Sequence, residues 1–243
     1  MNYLYRNFHL NKTTKGIIEV GGASAQVAYV TSDASHPNVV VKTINGVGYP
    51  VHSVSYLGLG QGEARKAMIA ASGPVRNPCY PNNDIGSPPA SFNADTGSPS
   101  YVIASGAYQY NDCNGLYQSL IASFHVRDRA VAPGFDTTNF VGVSSVFFAL
   151  HDWQVLDQPA MLGTRVSELC GGINAWSLKV APAQGGTSKF AQNACANGTY
   201  INALLFSPKN GLGLGNGQLT GVERIKGASP TWTRGYVVIR NGR

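Results

Sequence analysis

The chain has 243 residues, of which 12% are charged and 43% hydrophobic, with 29 Gly and 13 Pro. That balance excludes intrinsic disorder, no Gly-X-Y period or heptad marks a fibrous chain, and no run approaches the roughly 20 apolar residues of a membrane span. The net charge of +6 favours anionic partners, but its one local excess, Arg224, Lys226, Arg234, Arg240 and Arg243, is not a basic stripe interleaved with aromatics, so no nucleic-acid partner is expected.

The first 57 residues read as strands. Gly16–Val20, Ala25–Val30 and Val39–Ile44 are β-branched runs separated by Gly-Gly and by a Ser-Asp-Ala-Ser-His-Pro turn, and an extended run from Tyr49 to Leu57 follows. Glu63–Ala71 consists of good helix formers and stops before Gly73-Pro74. Residues 73–100, rich in Pro, Asn, Ser and Gly, read as a long surface loop with only Cys79 as an anchor. A helix is expected over Asn114–Phe124 with Leu116, Leu120 and Phe124 on its inward face. Phe140–Val143 reads as a buried strand running into a helix at Ser144–Leu150, and helices follow around Arg165–Leu169 and over Ser188–Phe206. After a Gly-rich turn at Gly211–Gly217 come strand-like Leu219–Ile225 and apolar Tyr236–Ile239. A strand meander followed by alternating helices and strands is the order of an α/β fold, an RNase H-like or actin-like ATPase lobe with a mixed sheet flanked by helices.

Four cysteines, Cys79, Cys113, Cys170 and Cys195, lack any metal-ligand spacing. Their even number in a Gly-, Asn- and Ser-rich chain suits two disulfides in an oxidising compartment; composition alone leaves four buried thiols as the alternative. Met1–Arg6 lacks the apolar core of a signal peptide, so an export signal is expected outside this chain.

The sharpest local feature is Glu19-Val20-Gly21-Gly22-Ala23-Ser24-Ala25-Gln26, two strands joined by a glycine turn. Two glycines allow the chain to fold back with its amides directed into one concavity, where a phosphate fits without an intervening side chain. Ser24 adds a hydroxyl, and Glu19 stands where it can hold a metal-bound water. A glycine hairpin with no ligand is the competing account.

In the context of the whole chain, the turn resembles the Asp-Leu-Gly-Gly-Ala-Ser-Thr-Gln phosphate loop of the apyrase family, the nucleoside triphosphate diphosphohydrolases. The family's His-Ser-Tyr-Leu-x-x-Gly segment is similar to the stretch from His52 to Gly60, and its Asn-Pro-Cys to Asn77-Pro78-Cys79, followed by Cys113. Phe140–Phe147 resembles its fifth conserved region, Cys195–Ile201 its late Cys-x-x-x-x-Tyr-Ile helix, and Trp232–Gly235 its closing Trp-x-Leu-Gly. These matches fall in the family's order and identify the C-terminal part, with the fourth and fifth conserved regions. Glu19 departs from the family's Asp by one methylene, and the first three regions, which carry the other phosphate loop and the water-activating glutamate, have no counterpart beyond Met1–Leu4.

The resemblance implies hydrolysis of nucleoside tri- and diphosphates with Mg²⁺ or Ca²⁺. In that assignment Gly21, Gly22, Ala23 and Ser24 hold phosphate; Glu19 contacts the metal through water; Ser24 and Gln26 serve the reacting centre; Phe147 and Ser144 take the base. Core packing competes for Phe147 and its neighbour Phe148, a helix cap for Ser144, and a solvent-facing strand position for Gln26. His52 is expected to be a satisfied packing histidine, and Trp153 and Trp176 core residues. The resemblance also pairs Cys79 with Cys113 and Cys170 with Cys195, and implies a secreted, periplasmic or endomembrane-lumenal protein. Residues 1–243 then form one lobe of a two-lobed enzyme, with residues 1–15 a tail from an N-terminal lobe missing here and 229–243 a closing segment. An exopolyphosphatase-like enzyme and a non-catalytic nucleotide-binding or structural remnant are the alternatives.

Overall fold

The computed structural model describes residues 2, 13–81, 92–93, 102–103, 105–171, 193–228 and 230. The expectations for Trp176, Trp232–Gly235 and Tyr236–Ile239 lie outside the described residues.

The expected strands form, but not as a simple meander, because the second strand pairs with the fourth and the third lies at the sheet edge. β1 (Gly16–Val20) pairs antiparallel with β2 (Ser24–Val30), β2 with β4 (Val47–Leu57), and β4 with β3 (Val39–Ile44). Asn45 and Gly46 close the β3–β4 hairpin, both at positive φ (52° and 78°), as a two-residue type I′ turn requires. β1 also pairs in parallel with β7 (Phe140–Ser144), and β7 with β8 (Leu219–Gly221), giving the mixed order β3-β4-β2-β1-β7-β8. The period of two turns Ile18, Val20, Ala25, Val27, Tyr29, Val54 and Tyr56 into the core. β7, paired on both sides, buries Phe140, Val141 and Val143 without alternation.

Helices cover the core face: α1 (Gln61–Ser72), α2 (Tyr110–Ser123), α3 (Val126–Ala130), α4 (Ser145–Asp152), α5 (Leu162–Gly171) and α6 (Ala194–Phe206). α6 is apolar nearly all round and lies at the centre of this layer, against α1, α2, α4 and α5. Gly198 permits that packing, because a Cβ there would lie 2.6 Å from Val166 and from the Trp153 ring. Trp153 is buried, as expected.

Two further expectations change. α2 starts at Tyr110, and its fully buried stripe is Cys113, Tyr117 and Ile121; Leu116, Leu120 and Phe124 pack only partly against the core. The stripe is rotated because Cys113 is bonded to Cys79 and the Tyr117 ring packs against Tyr200 of α6, 5.2 Å away. Where it is described, the region 73–100 is not a plain surface loop. Asn77, Cys79 and Tyr80 are buried, and Phe92–Asn93 (β5) pairs with Val102–Ile103 (β6). The Asn77 side chain donates to the Gly73 carbonyl and accepts from the Cys79 amide, which satisfies polar groups that solvent would otherwise serve. The last helix begins at Ala194, residues 188–192 of its expected span lying outside the described residues.

Both disulfides form, Cys79–Cys113 and Cys170–Cys195. The first ties the 73–81 segment to α2; the second joins the end of α5 to the start of α6. No helix among the described residues is long and apolar enough to cross a membrane.

Candidate functional site

The β1–β2 turn rests on the segment that connects β4 to α1. Gly21 N–H donates to Ser24 O (3.0 Å) and closes the turn. Its carbonyls face the other way: Gly21 O accepts from Gln61 N (2.7 Å), Gly22 O from Gly62 N (2.9 Å) and Glu63 N (3.2 Å), and Ala23 O from Gly58 N (2.8 Å). Gly60 lies directly beneath, where a Cβ would stand 2.3 Å from backbone atoms of Gly22 and Ala23. The supporting segment is fixed in turn by the core, since Leu59 is buried and its carbonyl accepts from Tyr200 Oη of α6 (2.5 Å).

The two turn glycines themselves behave differently from expectation. Neither Gly21 nor Gly22 adopts left-handed backbone, and a Cβ at Gly22 would meet nothing within 4 Å. The fold does not require glycine there; the open space lies outside the turn, on the side a ligand can approach.

Register fixes the side chains around the turn. Glu19 stands opposite Gln26 across β1–β2, and Gln26 opposite Ser55 across β2–β4, so the three share the sheet face away from the core. Gln26 Nε2 donates to Ser24 Oγ (2.5 Å) and to Ser55 Oγ (3.3 Å). Gln26 is therefore not an untethered solvent-facing residue, and Ser24, as acceptor of that bond, keeps its own proton for another acceptor. Glu19 is half-buried, and desolvation pushes its carboxyl above the usual carboxylate range. Among the described residues its carboxylate has no hydrogen-bond or salt-bridge partner.

α4 brings the remaining candidates. Ser144 ends β7 opposite Val20 and occupies the N-cap position of α4. Its side chain makes no capping hydrogen bond, its backbone sits at φ 58°, ψ −128°, and it is exposed. That backbone costs a non-glycine residue on the order of 1–3 kcal/mol. The buried face of α4 is Val146, Ala149 and Leu150, so neither phenylalanine is a core residue. Phe148 is half-exposed, and Phe147 lies stacked with His151, centroids 5.5 Å apart at 27°. Ser145 Oγ donates to Gln61 Oε1 (2.9 Å) and links the start of α4 to the start of α1. His52 is on the opposite sheet face, fully buried, with Nε2 against Arg129 O (3.0 Å). It packs the core, as expected, and does not reach the turn, but it is not fully satisfied, since its buried Nδ1 has no hydrogen-bond partner among the described residues.

Two residues were given no role by the sequence reading, although both lie in the family-like stretch from His52 to Gly60. The place of Ser55 beside Gln26 follows from register, and the need for glycine at Gly60 from a crowding that appears once the turn is folded over it.

Residues 1–241 match the GDA1/CD39 (nucleoside phosphatase) family. The chain belongs to that family. Among GDA1/CD39 relatives it is 24% identical to ectonucleoside triphosphate diphosphohydrolase 8 of Bos taurus, over 94% of this chain and 51% of that protein. It is 25% identical to ectonucleoside triphosphate diphosphohydrolase 2 of Gallus gallus, over 98% and 55%. A shorter stretch, 30% of the chain, is 39% identical to probable apyrase 5 of Arabidopsis thaliana. The fold matches a crystal structure of nucleoside triphosphate hydrolases from Neospora caninum with a TM-score of 0.53, at 14% identity, over 93% of this chain and 56% of that one. The chain thus spans about half the length of the GDA1/CD39 relatives it matches.

Among the described residues no three His, Cys, Asp or Glu side chains gather into a cage for a metal ion. A lone, desolvated carboxylate without a protein partner suits a divalent cation that is held chiefly by substrate phosphates and water.

Proposed function

We propose that this chain forms one lobe of a phosphohydrolase acting on nucleoside tri- and diphosphates, and that its share of the work is to hold the phosphates and the base. The observation that carries this reading is the Gly21–Ala23 turn, whose carbonyls are all engaged from beneath while Gly22 and Ala23 stay exposed. The Gly22 and Ala23 amides and the Ser24 hydroxyl donate to phosphate oxygens, and Gln26 holds Ser24 in place. Glu19 would hold a Mg²⁺ or Ca²⁺ through water, and the ion would supply charge neutralisation at the phosphates. Phe147 offers a ring face to the base and Ser144 lies beside it.

The water-activating carboxylate belongs to a second lobe, which the length of the relatives supports. The two disulfides fit an oxidising destination, secreted, periplasmic or lumenal. Alone, the chain binds nucleotide weakly and hydrolyses it negligibly, since losing one preorganised donor typically costs about 10²–10³ in rate and here several are absent together. A coupled phosphate-release assay tests this, run on the chain alone and fused to its upstream sequence; activity is expected only in the fusion. Turnover by the isolated chain at about 1–10³ s⁻¹, the ordinary enzyme range, and its loss in Glu19→Gln, would overturn the division of labour.

A further inference from the structure

Which way the turn amides point follows from the bonds beneath them. There are no cis peptides among the described residues, and in a planar trans peptide the C=O and the next N–H point in opposite directions. Gly21 O is directed at Gln61 N, so the Gly22 N–H is directed away from the start of α1. Gly22 O is directed at Gly62 N and Glu63 N, so the Ala23 N–H is directed away from it too. Among the described residues neither of these two amides has an acceptor. They lie on successive exposed residues and emerge on one side of the turn.

The first three amides of α1 have no partner inside their own helix and carry the positive end of its dipole. In this chain they do not meet a ligand directly, because the turn carbonyls occupy them. Each turn peptide is instead the second link of a chain: the Gln61 amide, the Gly21 carbonyl and the Gly22 amide; the Gly62 and Glu63 amides, the Gly22 carbonyl and the Ala23 amide. Hydrogen bonds in series polarise one another, so the free ends of these chains are stronger donors than isolated amides.

We infer that Gly60 and the backbone amide of Gln61 are positioning residues for phosphate binding, relaying the positive end of α1 through two turn peptides to the Gly22 and Ala23 amides. The inference rests on the proposed phosphate site and adds what aims it. Gly60 is needed because any Cβ there would displace the turn. Its own backbone, at φ −73° and ψ 157°, is open to every residue, so its constraint is purely one of space. Residue 61 contributes through its amide, and its side chain is engaged separately by Ser145.

Proline provides a selective test. Gln61 is the first helical residue of α1, where proline is favoured because the amide it deletes has no intrahelical acceptor. Gly60 already has the extended conformation that a residue before proline must take. Gln61→Pro therefore leaves the helix but removes the bond to Gly21 O and, with its Cδ where the amide hydrogen pointed at that oxygen, pushes the turn peptide away, while Gln61→Ala removes only the side chain. The full 243-residue chain, ¹⁵N-labelled, is titrated with ADP and, separately, with inorganic pyrophosphate, and the Gly22 and Ala23 amide resonances are followed. In the parent both resonances shift saturably. Gln61→Pro binds each probe about tenfold more weakly than Gln61→Ala, the scale of one net hydrogen bond, while the resonances of the rest of the chain keep their folded dispersion. Gly60→Ala binds about a hundredfold more weakly than the parent, since an error of about 1 Å in placement costs that much. If Gly60→Ala fails to fold, the comparison at position 61 stands by itself. Equal affinities for Gln61→Pro and Gln61→Ala, with both resonances shifting in the parent, overturn the relay alone. A parent whose Gly22 and Ala23 resonances move with neither probe overturns the phosphate-site reading, and the relay falls with it.

Discussion

The Gly21–Ala23 turn and the Gly58–Glu63 segment beneath it are in hydrogen-bond contact, yet their glycines answer to different constraints. In the lower segment Gly58 needs left-handed backbone (φ 98°) and Gly60 has no room for a Cβ. Both demands are internal to the chain. In the upper turn Gly22 has ordinary backbone and empty space around it, so folding alone would accept a larger residue. A glycine that the fold does not need points to something that approaches from outside, whereas a glycine that the fold does need reports on packing.

That contrast between a rigid support and a permissive turn can be broken most severely from the side of the support. Replacing Cys79 and Cys113 together by Ala frees the 73–81 segment from α2 and is expected to lower stability by about 3–4 kcal/mol, the effect of opening a loop of 34 residues. Urea denaturation checks this, and a loss below about 1 kcal/mol would count against the disulfide as the brace between the 73–81 segment and α2. The glycines come next. Gly60→Val is expected to cost about 2–3 kcal/mol through overpacking and to abolish nucleotide binding. Gly22→Val is expected to stay within about 0.5 kcal/mol of the parent in stability. Its affinity for a nonhydrolysable nucleoside triphosphate should nevertheless fall a hundredfold or more, measured by calorimetry. Equal binding by Gly22→Val and the parent would remove the turn from the site.

The smallest effects separate the two sheet faces by pH. Burial raises the Glu19 carboxyl, so its stabilising contribution is complete at low pH and is lost as pH rises through the folded value. His52 goes the other way: burial, reinforced by His36, lowers it, although the bond to the Arg129 carbonyl opposes the shift. Its contribution is present above about pH 6.5 and is lost as pH falls through the lowered folded value. Urea midpoints between pH 4 and 8 should therefore lose their rising acid limb in His52→Phe and their opposing decline in Glu19→Gln. A parent-like profile in either variant would show that the group titrates in the folded chain as it does unfolded.

The first strands are legible because β-branched runs between turn residues favour extended chain, but their order is not, since only the folded sheet shows that residues 47–57 insert between residues 24–30 and 39–44. The position of the turn could be read from Gly21-Gly22, but not the reason for it, since sequence does not distinguish a glycine required by backbone from one left open for a ligand. The face of α2 was misjudged because Leu116, Leu120 and Phe124 look more apolar than Cys113 and Tyr117, whereas a disulfide and a neighbouring ring decide which stripe turns inward. Asn77 looked like surface because a buried asparagine is recognisable only by the backbone groups it satisfies. The roles of Ser55 and Gly60, though both lie in the family-like His52–Gly60 stretch, depend on register and on contact between segments distant along the chain, which a motif does not carry.

The pairing of β1 on its two sides implies an order of assembly. Its antiparallel partner β2 follows after a turn of three residues, so Glu19, the turn and Gln26 come together through local contacts soon after the chain collapses. Its parallel partner β7 joins residues 16–20 to residues 140–144, and the entropy of closing that long loop must be met before the pairing is rewarded. Residues 16–26 thus pair early, and Ser144 with the start of α4 arrives late. A slow-folding or destabilised variant of this chain would keep the β1–β2 turn and lack the β7–α4 junction beside it.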